Sequence, residues 1–498
     1  MMLLVGLILP AVASPIIYLL SKRKKEYGML LLISTALIVL GLYSYAFFGA
    51  GKGGTWMEKY WWISVITPQV KGISFTLFID GISYLMVLTT IILFIFTTVY
   101  AMGYIEERVD IHLALLSLLL TGLTGVFVTA NLLAFYVFWE FMLVPSYFII
   151  AKWGYRDPAK IAFLFFIYTH VGALFIILGI GLIAMLTGGA GLEILQFAQY
   201  FEAIKPYWGY IFAFLTFGFL VKMAILPVHT WLPPAHSEAP SNMSALLSGI
   251  IIEAGAYAIL RISYLTVLQS AYRSGIDVTS ILYSLTLLGV LTAFYGGFMA
   301  LKEIDVKRII AYSSVSHMGY VLAGLSAGTF ALLNNYTLLA LYGAVFHLIA
   351  HAWSKGLFFL VGGSVLHQTH LRDIREMSGL MSKMPYTGIC GMISMFSIGG
   401  VPPLPCFISE FMIIAGVAGI AQEVPSFLYL AVFLAIATLL SAAYTLRYFW
   451  QVFWYKRKEP TEAKEANRWM LAGMIGLAAF VVFLGILPWL FTSLISLP

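Results

Sequence analysis

Six ionisable side chains lie inside or beside long apolar stretches of this chain, where a charge is difficult to accommodate. They are Glu140, Lys222, Glu253, His351, Lys355 and Glu410. A charged group at the centre of a bilayer costs at least about 2.5–3.5 kcal/mol on insertion scales. A single residue of this kind needs no function, but a row of acidic and basic groups over five segments offers successive sites to a moving charge. The pattern predicts an ion path through a membrane.

Glu140 and Lys222 are the first candidate pair along the chain. Glu140 lies in NLLAFYVFWEFMLVPSY, and Lys222 comes just before a sequence that interrupts a helix. Buried together, a carboxylate and an ammonium group can stay charged, and their titrations become coupled. The alternative is a static ion pair. For Glu253, in LLSGIIIEAGAYAILR, the alternative is a neutral carboxyl that hydrogen-bonds to a neighbouring helix and can still relay protons.

The segment YGAVFHLIAHAWSKGLFFLVGG carries His347, His351 and Lys355 at positions i, i+4 and i+8. This spacing places the three side chains on one face of a helix. Because histidine titrates nearest to neutral pH, the ladder suits a proton relay, and a structural role is the alternative. Two histidines at i and i+4 can also bind a metal, but no third ligand stands between them. The sequence therefore predicts no metal site.

Further polar residues occupy the second half and the connections. Glu410 follows an interrupted helix at a place comparable to that of Lys222, with the opposite charge, and His317 in AYSSVSHMGY either links the halves or is a core histidine. The connection PVHTWLPPAHSEAPSNMSA forms either an entrance or a loop-capping network; its polar members are His229, His236 and Glu238. Asp80 is predicted to cap a helix rather than to carry ions.

The composition sets the class of protein that positions these groups. Of 498 residues, 61% are hydrophobic and 10% are charged, and the mean hydropathy is +0.95. Soluble domains carry about 25% charged residues. We predict an all-α polytopic membrane protein with fourteen spanning helices. The predicted spans are 2–20, 28–49, 77–101, 111–129, 131–151, 160–187, 209–227, 243–269, 279–300, 306–326, 332–361, 387–421 with a break, 427–452 and 469–494.

The basic residues predict the orientation of the helices. Odd-numbered loops hold 19 of the 28 Lys and Arg residues and even-numbered loops hold 5, while the other four lie within helices. Since Lys and Arg accumulate in cytoplasmic loops, odd loops are predicted inside and both termini outside. The net charge of +6 is small for this length, and we expect no nucleic-acid partner.

Two of the predicted helices are interrupted. Pro227 ends the seventh, and the middle of the twelfth contains Gly399, Gly400, Pro402 and Pro403. Such breaks survive in a bilayer only where protein or a wet cavity surrounds them. They lie five helices apart, which predicts two inverted five-helix repeats around an ion site. The predicted units are N-terminal helices (1–106), a first half-channel (107–270), a second half-channel (271–453) and a C-terminal helix (454–498).

The sequence contains no motif for binding an Fe–S cluster, a nucleotide, a flavin or a haem group. The two cysteines, Cys390 and Cys406, form no CxxC pair and cannot supply an Fe–S ligand set. The chain has no Walker A motif, no flavin fingerprint and no haem-attachment motif. We therefore expect no cofactor bound to this chain.

Five segments carry a resemblance to a known family. VKMAILPVHTWLPPAHSEAPSNMSALLSG, AYSSVSHMGY, HLIAHAWSKGLFFLVGG and GVPPLPCFISEF resemble segments of the antiporter-like subunits of respiratory complex I, as does FIDGISYLM. Related subunits occur in Mrp-type sodium/proton antiporters and in membrane-bound hydrogenases. The resemblance covers essentially the whole chain and is strongest to the chain M type, the mitochondrial subunit 4 type.

The resemblance implies a proton-translocating subunit, without redox centres, in the plasma membrane of a prokaryote. Its partners would be other membrane subunits, which would carry the Fe–S clusters and a quinone, nicotinamide or NiFe site. The family's charged positions fall on Glu140, Lys222 and Glu410, and its histidines on His317 and His351. The family usually has lysine where Glu253 stands. That departure leaves open the order of proton hand-off and the identity of the ion.

Two alternatives of another class stay open from the sequence. The chain could be an Mrp-type sodium/proton antiporter module without a redox partner, since the pump fold is shared, and Lys355 fits the Mrp and hydrogenase branches better than bacterial chain M. It could also be a degenerate scaffolding subunit, an alternative that rests on Glu253.

Overall fold

A computed structural model describes residues 1–51, 54–63, 72–455 and 461–495. Within these ranges, thirteen helices are long and apolar enough to span a membrane, and a further one is broken in two, so the predicted helical membrane fold with fourteen spans is confirmed. The helices are α1 (Met2–Arg23), α2 (Lys25–Gly49), α3 (Gly81–Tyr104), α4 (Val109–Val128), α5 (Leu132–Trp153), α6 (Pro158–Thr187), α7 (Trp208–Met223), α8 (Ser241–Arg273), α9 (Thr279–Lys302), α10 (Val306–Leu333), α11 (Leu339–Thr369), α12a (Pro385–Ile398), α12b (Pro405–Ile420), α13 (Ser426–Trp454) and α14 (Arg468–Ile486).

The helices separate into a central group and a rim. The most apolar window of α8 and of α11 is completely buried inside the protein, and that of α10 is 94% buried. About a third of the corresponding windows of α6 and α13 is buried, and these helices present apolar side chains outward. A helix that is apolar all round either faces lipid or lies in a core. Helices α8, α10 and α11 therefore form the interior of the protein.

A β-hairpin precedes α3 and was not predicted. Strand β1 (Trp56–Ile63) pairs in antiparallel register with β2 (Ile73–Ile79), with Trp56 opposite Ile79. The predicted start of the third helix at residue 77 is wrong because Asp80 caps α3, accepting a hydrogen bond from Ser83 N at 2.9 Å. The capping role predicted for Asp80 is confirmed.

The seventh span is interrupted, as predicted, but its helix ends earlier than predicted. Helix α7 stops at Met223, and Ala224 adopts a left-handed conformation with φ +56°. Proline disfavours the helical conformation of the residue before it, so a helix ends ahead of Pro227 and not at it. The Val221 carbonyl accepts from Ala224 N at 3.2 Å and from the Trp231 indole at 2.9 Å, and a short helix follows at Leu232–Glu238. Protein groups thus supply hydrogen bonds to the backbone where α7 ends.

The break in the twelfth span is also present. Helix α12a ends at Ile398, Gly400 takes φ +68°, and α12b begins with Pro405 in its first turn. The positive φ of Gly400 requires glycine, and a Cβ atom there would lie 2.9 Å from the Glu410 carboxylate. The segment between the half-helices includes Pro402 and Pro403, which are exposed. The interruption therefore brings exposed backbone next to a buried acid.

Helix boundaries differ most around the tenth and eleventh spans. The predicted eleventh helix, 332–361, begins at Leu339 and ends at Thr369, because Asn335 adopts φ +59° and separates it from α10. Helix α8 contains two π-helical segments, Leu247–Ile251 and Ile259–Leu268, on either side of Glu253. Residues 456–460 and 496–498 of the predicted C-terminal unit lie outside the described residues. The inverted repeat and the domain limits stay predictions.

Glu58 on β1 fastens the hairpin to the start of α1. Its carboxylate accepts hydrogen bonds from Leu3 N at 3.1 Å and Leu4 N at 3.3 Å, two of the amides that a helix start leaves unpaired. The Met1 amine lies 2.8 Å from it, and the Tyr60 hydroxyl donates to it at 2.9 Å. Burial raises the pKa of Glu58, but these hydrogen bonds outweigh burial and lower its pKa to about 2.

This carboxylate predicts a pH dependence of stability. Because its pKa is lower in the folded protein than the ordinary value of 4.5, Glu58 stabilises the fold above about pH 4.5, and this contribution is lost as the pH falls toward 2. Between about pH 6 and about pH 3, the wild type should lose roughly 2 kcal/mol more stability than a Glu58→Gln variant. Thermal unfolding of both proteins at the two pH values measures the difference, and equal losses would contradict it.

Candidate ion-transfer site

The interior helices bring Glu253 and His351 into direct contact. Glu253 Oε1 lies 2.9 Å from His351 Nδ1, and both side chains are fully buried. The other two polar atoms of this pair, Glu253 Oε2 and His351 Nε2, have no hydrogen-bond partner among the described residues. A buried acid and imidazole in contact can pass a proton between them, and the unpaired atoms leave each of them able to bind another donor or acceptor.

Two more histidines and an acid lie beside this pair. His317 Nδ1 is 3.1 Å from His347 Nε2, and the two rings stack with centroids 5.2 Å apart. The His351 ring centroid lies 5.5 Å from that of His317, and Glu410 Oε1 lies 3.6 Å from His317 Nδ1. Contacts therefore follow one another across the interior helices and α12b; we call their members the central row: Glu253, His351, His317, His347 and Glu410.

Hydroxyl groups hold the histidines of the central row in place. His347 Nδ1 lies 2.7 Å from Ser409 Oγ, whose own proton is directed to the carbonyl of Pro405 or Cys406. Ser409 therefore accepts from His347 Nδ1–H, and the neutral ring keeps a lone pair on Nε2. On the other side, His317 Nε2 lies 3.1 Å from the Tyr444 hydroxyl, which can donate or accept.

Lys355 lies next to the central row but belongs to a different contact. Its ammonium group donates a hydrogen bond to Ser313 Oγ of α10 and lies 5.7 Å from the centre of the Phe358 ring. Lys355 is fully buried. The predicted ladder of His347, His351 and Lys355 thus shares one helix face, with its lysine held by a hydroxyl group.

The predicted ion pair of Glu140 and Lys222 is not formed. Glu140 Oε2 instead lies 3.0 Å from His170 Nδ1 on α6. Among the described residues, no carboxylate oxygen lies within 4.0 Å of Lys222 Nζ, which sits 5.6 Å from the Trp139 ring and 5.8 Å from the Phe165 ring. The buried ammonium is stabilised by aromatic faces, while Glu140, whose side chain is 24% exposed, contacts an imidazole.

The polar residues between α7 and α8 have separate roles. Glu238 Oε2 accepts hydrogen bonds from Arg156 N at 2.7 Å and Asp157 N at 3.1 Å, which is loop capping. His236 is fully buried, stacks on Phe359 at 4.5 Å, and has no hydrogen-bond partner for either ring nitrogen among the described residues. His229 packs edge-on against Tyr295 at 4.8 Å. These contacts support capping for Glu238 and leave His229 and His236 as candidates for an entrance.

Four partners of these charged groups were not predicted from the sequence. They are His170, Ser313, Ser409 and Tyr444, and each lies on a helix other than that of the group it contacts. His170, a lone histidine in the apolar sequence FIYTHVGALF, was the one visible signal. Hydroxyl side chains are common in membrane helices, so the other three could not be singled out without the packing.

Fold and site define a polytopic membrane protein with a continuous row of buried acids and histidines between interrupted helices. The chain belongs to the family described as NADH:quinone oxidoreductase/Mrp antiporter, whose transmembrane profile matches residues 129–440. The matched stretch contains the whole central row together with Glu140, Lys222 and Lys355.

Two relatives align over nearly the full length. The chain is 32% identical to NADH-quinone oxidoreductase subunit M of Pseudomonas aeruginosa, with 92% of this chain and 88% of that protein aligned. It is 31% identical to F(420)H(2) dehydrogenase subunit M of Methanosarcina mazei, with 97% of this chain and 94% of that protein aligned. Both relatives are named as subunits of oxidoreductases.

Solved structures agree in fold. A chain of respiratory complex I from Thermus thermophilus superposes with a TM-score of 0.81 at 24% identity, covering 99% of this chain and 97% of that one. A chain of the Mrp complex from Dietzia sp. superposes with a TM-score of 0.84 at 20% identity, covering 99% and 95%. At these identities the likeness establishes the fold alone.

Proposed function

We propose that this chain is a proton-translocating, non-redox subunit of a membrane-bound energy-converting oxidoreductase. The observation that supports this most is the central row, in which buried acid and imidazole groups touch in sequence from Glu253 to Glu410. Four of its five members lie on α8, α10 and α11, which the rest of the protein surrounds. Relatives named as subunits of NADH-quinone oxidoreductase and F(420)H(2) dehydrogenase support the oxidoreductase setting.

Electron carriers belong to partner subunits in this proposal. The two cysteines of this chain are both buried and too few for the four thiolates of an Fe–S cluster. Fe–S clusters and a quinone, nicotinamide or NiFe site would therefore lie elsewhere in the complex. This chain would contribute the ion path, and neighbouring membrane subunits and lipid would cover its apolar rim.

The transfer begins near Lys222 and runs through the central row. Electron transfer in the partner subunits changes the electric field at Lys222, which lies over the rings of Trp139 and Phe165, and Lys222 then gives up a proton. Helix α7 packs directly on α8, since a Cβ atom on Gly255 would lie 2.9 Å from Met223 N. The proton then moves to Glu253 and on to His351. From there it passes through His317 and His347, next to which Lys355 lies, and finally reaches Glu410.

The proposed location is the plasma membrane of a prokaryote, with both termini outside. The bacterial and archaeal relatives support the location, and the excess of Lys and Arg in odd-numbered loops supports the orientation.

A second candidate is an Mrp-type sodium/proton antiporter module without a redox partner. The family description includes Mrp antiporters, and the buried Lys355 on α11 fits that branch. The two candidates differ in whether electron flow is required and in whether sodium is carried.

Replacing Lys222 by alanine tests the proposed function. Lys222→Ala removes the buried ammonium group at which transfer begins, so redox-driven proton uptake into vesicles carrying the parent complex should fall to background while the complex still assembles. The measurement is acidification of the vesicle interior, with and without sodium, in the wild type and the variant. Lys302→Ala, which alters an exposed lysine at the end of α9, is the matched control and should transport normally.

Each outcome decides between the candidates. Redox-driven acidification that is lost in Lys222→Ala and indifferent to sodium supports the proton-pumping subunit. Uptake that requires sodium, or that proceeds without electron flow, supports the antiporter. Unchanged pumping in Lys222→Ala contradicts the proposed path.

A further inference from the structure

We infer that His317, His347 and Glu410 form a binding site for a divalent transition metal, Zn²⁺ by its ligand chemistry. Each residue offers one ligand atom, and the three atoms lie within 4.8 Å of one another. All three side chains are buried. They come from α10, α11 and α12b, so the site exists only in the folded protein.

Two of the three distances between the ligand atoms are close to those of a tetrahedral ion, and all three are within 4.8 Å. Zn²⁺ binds imidazole nitrogen and carboxylate oxygen at about 2.0–2.1 Å, which places neighbouring ligand atoms of a tetrahedron about 3.3–3.4 Å apart. Two of the separations in the protein are 3.1 Å, between His317 Nδ1 and His347 Nε2, and 3.6 Å, between His317 Nδ1 and Glu410 Oε1. Small side-chain adjustments bring both to the required value.

The partners of the ligands also match a metal site. Ligating histidines almost always donate their second ring N–H to another group, which fixes the tautomer. His347 Nδ1 donates to Ser409 Oγ, and the Tyr444 hydroxyl at 3.1 Å can accept from His317 Nε2–H. His317 Nδ1 and His347 Nε2, which lie 3.1 Å apart, are then the ring nitrogens left for a metal.

Glu410 supplies the third and negatively charged ligand. Its Oε1 atom is buried and has no hydrogen-bond partner among the described residues. A buried carboxylate oxygen without a partner is costly, and coordination to a cation would remove that cost. Two imidazoles and one carboxylate favour Zn²⁺ over Mg²⁺ or Ca²⁺, which prefer sites made of oxygen ligands alone.

The break in the twelfth span provides the way in. Gly400 lies against the Glu410 carboxylate, and a Cβ atom there would come within 2.9 Å of it. Pro402 and Pro403, in the same break, are exposed. An ion that reaches this break meets the backbone turn between α12a and α12b next to Glu410.

Occupation of the site would block transfer through the central row, a consequence that rests on the proposed function. The three ligand atoms are those that would accept and release the proton at the end of the row. With Zn²⁺ bound, their lone pairs are engaged by the metal and cannot take up a proton. Zn²⁺ that occupies the site would then act as an inhibitor of transfer through the central row.

Direct metal binding tests the inference without depending on transport. The full chain, purified in detergent and treated with a chelator, is titrated with Zn²⁺, and the bound metal is counted after gel filtration. Co²⁺ serves as a second probe because its visible absorption reports coordination by four ligands. The wild type should retain about one Zn²⁺ that is absent from Glu410→Gln and from His347→Gln. Tyr444→Phe keeps all three ligands and should weaken binding by about 10–100-fold.

The matched control is His112→Gln, which alters a fully buried histidine of α4 that hydrogen-bonds Asn242 and lies outside the central row. It should bind Zn²⁺ like the wild type. Equal Zn²⁺ binding in Glu410→Gln and His347→Gln, or no binding to the wild type, would overturn the site. If a ligand variant fails to fold, a wild-type affinity for Zn²⁺ in Tyr444→Phe is by itself enough to overturn the proposed site. Because no transport is measured, these results leave the proposed function untouched.

Discussion

Replacing His351 by leucine is expected to reduce redox-driven ion transport by the parent complex by about two orders of magnitude or more, the range that a positioned acid–base group contributes. His351 is the residue that joins Glu253 to the paired histidines: its Nδ1 lies 2.9 Å from Glu253 Oε1, and its ring lies 5.5 Å from that of His317. Leucine has a similar size but no nitrogen, so both ends of the path remain while its middle cannot hold a proton.

The measurement is acidification of vesicles carrying the complex, normalised to electron-transfer rate. His112→Leu is the matched control, because His112 is equally buried but hydrogen-bonds Asn242 away from the central row. The control should pump at the wild-type rate. Wild-type transport in His351→Leu would mean that ions bypass the histidine, and the order Glu253, His351, His317 would be wrong.

The helical membrane fold, the shared face of His347 and His351 and the two helix breaks could be predicted from the sequence because they depend on local patterns. An apolar run of about 20 residues has to span the bilayer, and positions i and i+4 share a helix face. The spacing of His347 and His351 was therefore enough to place them together on one face of α11. The breaks near Pro227 and Gly400 were visible for the same reason, since proline and glycine interrupt a helix wherever they stand.

The β-hairpin was not predicted from the sequence because its second strand, β2, is apolar. Residues 73–79, ISFTLFI, run into the predicted helix, and a short apolar run does not reveal whether it is strand or helix. Asp80 is the residue that separates the two, because its side chain caps α3.

The contact partners of the charged groups were not predicted for a different reason. Glu140 contacts His170 and not Lys222 because the rotation of α5 and α6 about their axes decides which side chains meet, and no local pattern fixes that rotation. The proposed metal ligands show the same limit, because His317 and His347 are thirty residues apart on different helices. With only His347 and His351 visible on one helix, the sequence predicted no metal, whereas the structure supplies further candidate ligands from α10 and α12b.

Breaking the buried ion pair of Asp80 and Arg261 should lower the stability of the protein more than any surface change. An Arg261 guanidinium nitrogen lies 2.8 Å from Asp80 Oδ1 and 2.7 Å from Oδ2, and both residues are buried. Asp80→Ala leaves an uncompensated buried charge, which costs about 3–5 kcal/mol. It also removes the cap of α3, worth about 1 kcal/mol. Thermal unfolding of the purified chain measures the loss.

A second substitution separates the charge from the packing. Asp80→Ala combined with Arg261→Met removes both charges and keeps an apolar side chain of similar length, so most of the lost stability should return. Asp373→Ala is the control, because its pair with Arg375 lies at the surface, where the arginine is 64% exposed, and such pairs contribute about 0–1 kcal/mol. A double variant as unstable as Asp80→Ala would contradict the role of the charge.

The same double variant decides whether this pair belongs to the ion path. Arg261 lies in the second π-helical segment of α8, about two turns beyond Glu253, so the pair fixes α8 against the start of α3. If its role is structural, the restored double variant should transport ions at the wild-type rate, since Glu253 and His351 keep their contact. Restored stability with lost transport would instead make Asp80 and Arg261 carriers, and the capping role would then describe only part of what Asp80 does.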